Sequence, residues 1–303
     1  MAKKARYTYP QLLHQKSLIN LYMMLYFTKM HSLGNDFMVI DGIYQTIRLD
    51  AALICQLADR HRGIGFDQLL IIEKSNEPGV DFNYRIFNAD GSEVGQCGNG
   101  ARCLAHFAHF YGLTAKKQLV IATSTTRMTL TVHTLNKITV HLKPPQFSPS
   151  SIPMLHTTTP NPHTLLLDTS TAQLVYTVNV GNPHAVSCLS NLDDFDINDI
   201  GKKISQHPFF PQQCNAGFMQ IQALDAIKLR VYERGAAETQ ACGSGAVAAV
   251  AVGRRYFGLD EKVMVNLPGG VLEVDWPDMN DAIYLTGEAC SVFEGKINTA
   301  LLG

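Results

Sequence analysis

The sequence is poor in charge. Asp, Glu, Lys and Arg make up 17% of its 303 residues and nearly balance, leaving a net charge of -1. That gives no electrostatic attraction toward nucleic acid or an anionic membrane surface. No apolar run reaches 18 residues, so no membrane-spanning helix is expected. Cys-x-x-Cys is missing, and no His pair has zinc-finger spacing. The seven cysteines are odd in number and irregularly placed, which argues against a disulfide scaffold and for reduced thiols in a cytoplasmic protein without metal. The Gly-rich turns lack both the Lys-Ser/Thr ending of a phosphate loop and the spaced acid of a dinucleotide site, so nucleotide binding is not expected.

Apolar residues are abundant, at 46%, and the length suits one large domain or two of ordinary size. One short stretch occurs twice: Gln96-Cys97-Gly98-Asn99-Gly100-Ala101 and Ala241-Cys242-Gly243-Ser244-Gly245-Ala246. Each leads into an apolar run without a polar face, closing at Tyr111-Gly112-Leu113 and Phe257-Gly258-Leu259. Such runs predict two helices buried at the centre of a fold, each opening on a cysteine. A helix N-terminus carries free N–H groups and partial positive charge, so both thiols are expected to have lowered pKa values. Arg85-Ile86-Phe87-Asn88 and Arg230-Val231-Tyr232-Glu233 share the 145-residue offset of the two cysteines, and Gly34-Asn35 and Gly181-Asn182 lie 147 apart. Landmarks so aligned predict a duplicated domain, with a ligand cleft between the copies.

In chain order, residues 1–23 carry Lys3, Lys4, Arg6 and Lys16 without an acid and read as an extension outside the fold. Leu25 to Ile40 reads as strand, turn, strand, with Gly34-Asn35-Asp36 as the turn; Asp50 reads as the N-cap of a helix that Gly63 follows, and Gln68–Glu73 and Asp81–Phe87 as strands. Leu119–Thr123, Met128–Val132 and Lys137–Leu142 follow, then a Pro-rich connector from Pro144 to Pro162. The second half offers a strand at Val175–Val180, a turn at Gly181-Asn182-Pro183-His184 and a helix at Ile197–His207. Further strands are expected at Ala216–Gln222 and Ala226–Tyr232 and around Val263, Val271 and Ile283. The domains expected are 24–146 plus 288–303, and 147–287.

Two thiols on opposite walls of a cleft suit inversion at an acidic carbon: one removes a proton from one face and the other delivers one to the opposite face. The Gly-flanked N–H groups at both helix starts would bind a carboxylate. Glu233-Arg234 reads either as a structural ion pair or as a clamp for an ammonium and a carboxylate. Asn35, Asn88, Asn182 and Asn215, taken singly, read as turn formers, and Asp36 and Glu93 as turn or capping residues. An enzyme acting on proline, hydroxyproline or another small amino acid, and a non-catalytic amino-acid binder or redox sensor, are the rival readings.

The motifs Met30-His31-Ser32-Leu33-Gly34-Asn35-Asp36-Phe37, Asn88-Ala89-Asp90-Gly91-Ser92-Glu93, Gln96 to Arg102, Gly181 to His184, Glu233-Arg234-Gly235 and Ala241 to Ala246 together resemble diaminopimelate epimerase, in family order. The resemblance implies an α/β (α+β) fold of two similar pseudo-symmetric domains, each a mixed, mostly antiparallel sheet wrapped around a central helix, with the C-terminal strand returning to the first. It implies a cofactor-free cytoplasmic homodimer that interconverts LL- and meso-diaminopimelate for lysine and peptidoglycan-precursor synthesis. By motif position, Cys97 and Cys242 would be base and acid. Gly98, Asn99, Gly243 and Ser244 would hold the reacting carboxylate, and Glu233 the reacting amine. Asn88, Asn182, Asn215 and Arg234 would read the distant centre, with Asn35 and Gln68 lining the pocket. The sequence departs from the family pattern at Ser32 and Ala237, where glycine is usual, and at Ser244, where threonine is common.

Overall fold

The computed structural model describes residues 24–155 and 159–299; the extension expected over residues 1–23 lies outside them. The first half holds β1 (Met24–Ser32), β2 (Asn35–Asp41), α1 (Ala51–Ala58), β3 (Gln68–Lys74), β4 (Phe82–Asn88), β5 (Glu93–Val94), α2 (Gly98–Phe110), β6 (Gln118–Ala122), β7 (Arg127–Val132) and β8 (Lys137–Leu142). The second holds β9 (His163–Leu166), β10 (Ala172–Asn179), β11 (Pro183–Cys188), α3 (Ile197–Ser205), β12 (Asn215–Ala223), β13 (Ala226–Glu233), β14 (Ala237–Glu238), α4 (Gly243–Phe257), β15 (Lys262–Leu267), β16 (Gly270–Asp275) and β17 (Ile283–Glu288). Last comes β18 (Cys290–Asn298).

The halves repeat each other pairing for pairing. β2 runs parallel to β3 and β4 to β6; their counterparts β11 with β12 and β13 with β15 are also parallel. The other neighbours pair antiparallel in both halves. β1 takes β18 on its outer side, as β10 takes β9. Where the halves meet, β8 pairs antiparallel with β17, so one hydrogen-bonded ribbon runs through the molecule. Even an ion pair is duplicated: Arg85 grips Glu93 from β4 to β5, and Arg230 grips Glu238 from β13 to β14. Glu93 is therefore not a capping residue; it clamps a hairpin.

Each sheet wraps a helix that is buried along most of its length. α2 is buried from Asn99 to Ala108, and α4 from Gly245 to Gly253. Around α2 pack Phe37, Leu70, Tyr84, Ile121, Leu130 and Val140; around α4 pack Val186, Leu229, Val231, Val265, Leu272 and Leu285. Burial of each such side chain stabilises the fold by about 1.5–3 kcal/mol. α1 and α3 cover the outer faces in two smaller clusters.

Several element ends differ from the expectation. α1 stops at Ala58, well before Gly63, because Asp59 turns the chain by accepting from the His61 and Arg62 amides. The first hairpin turns at Leu33-Gly34, both with positive φ, so Asn35 already lies in β2. His184, expected in a turn, lies in β11 and is fully buried.

Candidate active site

The strand directions carry polar side chains to one place. Because β2 and β3 run parallel, Asn35 and Gln68 start their strands at the same end, and antiparallel β4 returns Asn88 to it. Gln68 Nε2 donates to Asn88 Oδ1 at 3.0 Å. In the second half, parallel β11 and β12 bring His184 and Asn215 side by side, and β13 returns Glu233 to that end. α2 and α4 start at the same two rims.

Cys97 and Cys242 are the N-caps of α2 and α4, each accepting the amide of the residue three along, Gly100 and Gly245, at 3.3 Å. Gly98, Asn99, Gly243 and Ser244 supply first-turn N–H groups that no helical carbonyl precedes. Gly100 and Gly245 are needed for close packing: a Cβ on Gly100 would lie 2.5 Å from the Tyr84 hydroxyl, which donates to Cys97 O, and one on Gly245 would lie 2.8 Å from Val231.

The two turns touch. Asn99 Nδ2 donates to Ala241 O and to Asn35 Oδ1, both at 3.2 Å. The contacts are reciprocal: the Gly34 hairpin rests on Gln240 just ahead of Cys242, and the Gly181 turn rests on Gln96 just ahead of Cys97. Glu233 lies near enough to act electrostatically on both thiols.

The thiols do not have the lowered pKa that their helix positions suggest. Burial pushes Cys97 up to about 11, outweighing the Gly100 amide and the Arg102 charge. Burial, with the Glu233 carboxylate beside it, pushes Cys242 well above the usual thiol range. Removing a thiolate from water costs more here than a helix start returns. Cys242 is 3% exposed, whereas Cys97 keeps a partly open face. All seven cysteines are free, and Cys103 and Cys214 are buried.

The remaining polar groups form two small networks. His184 Nε2 lies 3.1 Å from Asn182 Oδ1 and from Ser244 Oγ, and Ser244 Oγ lies 3.5 Å from Cys242 Sγ. Burial holds the His184 ring neutral, with a pKa down to about 3. Asn215 Oδ1 accepts the Arg234 amide at 2.9 Å, which turns its Nδ2 toward His184 at 3.3 Å. Glu233 and Arg234 do not pair with each other. Thr239 donates to Glu233 at 2.5 Å, and Arg234 Nη1 donates to Gln212 O at 2.8 Å. Asp36, expected in a turn, is the hub of an ion cluster, held bidentately by Arg60 and by Lys29.

A family model described as diaminopimelate epimerase matches residues 27–148 and 176–292. Diaminopimelate epimerase of Legionella pneumophila strain Lens is 52% identical over 275 residues, covering 91% of this chain and 99% of its own. The chain belongs to the diaminopimelate epimerase family. Its fold extends to more distant proteins. A Bacillus anthracis phenazine biosynthesis protein of the PhzF family superposes with a TM-score of 0.65 at 16% identity, over 90% of this chain and 99% of its own. A hydroxyproline epimerase from Agrobacterium vitis, with bound trans-4-hydroxy-L-proline, gives 0.64 at 12% identity, over 91% and 92%. These two share the two-domain architecture.

Within the diaminopimelate epimerase pattern, the departures have structural readings. Ala237 occupies the left-handed region with φ 60°, where glycine would sit without strain. Ser32 is buried and hydrogen-bonded, donating to Glu288 O at 2.5 Å. Ser244 keeps the hydroxyl that threonine would offer to His184. Two supporting residues carry no mark in the sequence: Thr239, which holds Glu233, and Asp67, which takes the Asn35 amide at 2.9 Å. Neither stands in a repeated or glycine-flanked setting that would mark it.

Proposed function

We propose that this chain interconverts LL-2,6-diaminopimelate and meso-2,6-diaminopimelate without a cofactor, through Cys97 and Cys242 as paired base and acid, in cytoplasmic lysine and peptidoglycan-precursor synthesis. The observation that carries the reading is the contact between two cysteine-capped helix starts, one from each half, tied by Asn99 to Ala241 O.

In the reaction, one cysteine as thiolate takes the α-proton from one face of the carbon. The electron pair left behind spreads into the adjoining carboxylate, where the N–H groups of Gly98, Asn99, Gly243 and Ser244 stabilise it. The other cysteine, as thiol, delivers its proton to the opposite face. The two sulfurs have then exchanged protonation states, and the pair titrates as one coupled unit. Glu233 would receive the reacting ammonium, whose charge offsets the burial that disfavours thiolate. Asn88, Asn182, Asn215 and Arg234 would read the distant centre, with Asn35 and Gln68 at the wall. The division into 24–146 plus 288–303 and 147–287, and assembly as a homodimer, belong to the same reading; the β8–β17 seam and the return of β18 to β1 support the division.

Incubation with LL-diaminopimelate in deuterium oxide tests it. Deuterium should enter at one α-carbon only, and Cys97→Ala and Cys242→Ala should each abolish epimerisation while the circular dichroism spectrum stays native. No exchange by protein with titratable thiols, or epimerisation by either alanine variant, would refute the scheme.

A further inference from the structure

We propose that Arg102 is a positioning residue for the cysteine pair: its guanidinium orients Asn99 so that the first cysteine turn docks against the second. Arg102 lies on α2 and is fully buried. Its Nη2 donates to Asn99 Oδ1 at 2.5 Å and to Ser32 Oγ at 2.8 Å. Among the described residues it forms no ion pair with a carboxylate, and its Nε and Nη1 have no hydrogen-bond partner. A guanidinium left this way opposes folding, and an apolar side chain of similar volume would serve packing better. Its retention is explained by what it holds.

With Oδ1 committed to Arg102, the Asn99 amide has a single orientation. Its Nδ2 then faces Ala241 O in the second half and Asn35 Oδ1 in the first. Turned the other way, Oδ1 would face the Ala241 carbonyl and repel it. The seam strand passes close over the guanidinium: a Cβ on Gly287 of β17 would fall 2.4 Å from Leu272 Cδ2, 3.1 Å from Arg102 Nε and 3.2 Å from Arg102 Cζ. Arg102 thus sits beneath the junction of the halves. Its charge also opposes the burial that raises Cys97, and burial lowers its own pKa to about 10.

The chemical part rests on the epimerase reading; the docking of the turns does not. The test uses the full chain, with fold checked by circular dichroism and thermal melting, and has two readouts. One is kcat and KM for epimerisation. The other is the pH dependence of Cys97 alkylation by iodoacetamide, followed by peptide mass spectrometry. Arg102→Met should lower kcat roughly 10²-fold with little change in KM, as expected for misplacement of a reacting group. It should also move the Cys97 alkylation profile upward by about one pH unit, as expected on losing a nearby opposite charge. Combined with Asn99→Ala, it should add little to the loss from Asn99→Ala alone, because the two act as one unit. A folded Arg102→Met protein with wild-type kcat and alkylation profile, or fully additive losses, would overturn the proposal. Should Arg102→Met fail to fold, Arg102→Lys decides, since an ammonium keeps the charge but not the guanidinium geometry: a clear loss of kcat supports the proposal and wild-type kcat overturns it. If the wild-type chain exchanges no α-deuterium, the epimerase reading fails, and the alkylation profile still reports on Arg102.

Discussion

Cys97 and Cys242 cap equivalent helices but differ in access, since Cys242 is buried and Cys97 is partly open. Iodoacetamide should therefore label Cys97 before Cys242 in the ligand-free protein. With the Cys97 thiol pushed up to about 11, its labelling rate should rise about tenfold per pH unit from neutrality without levelling off below pH 9, because only the thiolate reacts. Peptide mass spectrometry of quenched time points checks both, and a plateau near pH 7 would contradict the raised pKa. The cysteines themselves were legible in the sequence because each stands in a repeated, glycine-flanked frame. Their proton affinity was not: local sequence shows the helix start, whereas desolvation comes from strands far along the chain. The partners of Asp36 and Glu93 were hidden for the same reason, since Arg60 lies in the turn after α1 and Arg85 on the neighbouring strand β4.

Among the elements, the turn between β13 and β14 carries backbone strain beside the site. Ala237 pairs with Glu233 across that turn while holding φ 60°, so the strained residue sits directly opposite a proposed ligand group. Ala237→Gly should stabilise the chain by about 0.5–1 kcal/mol, the left-handed penalty for a Cβ less the added freedom of the unfolded chain. Urea unfolding of the two proteins measures it, and a loss of stability would show that the turn tolerates alanine without strain. The buried helices and most long strands could be read from hydrophobic pattern and caps. β5 and β14 could not, because two residues carry no periodicity. β11 was hidden by Pro183, which reads as a turn former yet stands at a strand's first position, where its missing N–H costs little.

Across the whole molecule, buried titratable groups set a pH window for stability. His184 has a pKa near 3 when folded against 6.5 for the free side chain, so its neutral form favours the fold above pH 6.5. That contribution is lost as pH falls from 6.5 toward 3, at up to about 1.4 kcal/mol per unit. Cys97 works at the other end: its folded pKa is raised from 9.0 to about 11, so its contribution is complete below pH 9 and fades as pH rises to 11. Urea midpoints should thus be highest between these limits. His184→Gln should flatten the acid side, and an unchanged acid slope in that variant would remove His184 from the account. At this scale the duplication was visible as a nearly constant offset, but the β8–β17 seam was not, since pairing between distant strands leaves no local trace.

β18 completes the first sheet by pairing along β1, although every strand of the second half is encoded before it. During synthesis on the ribosome, α2 and its strands must therefore wait with one flank uncovered while the later half emerges. The half that begins first is closed last.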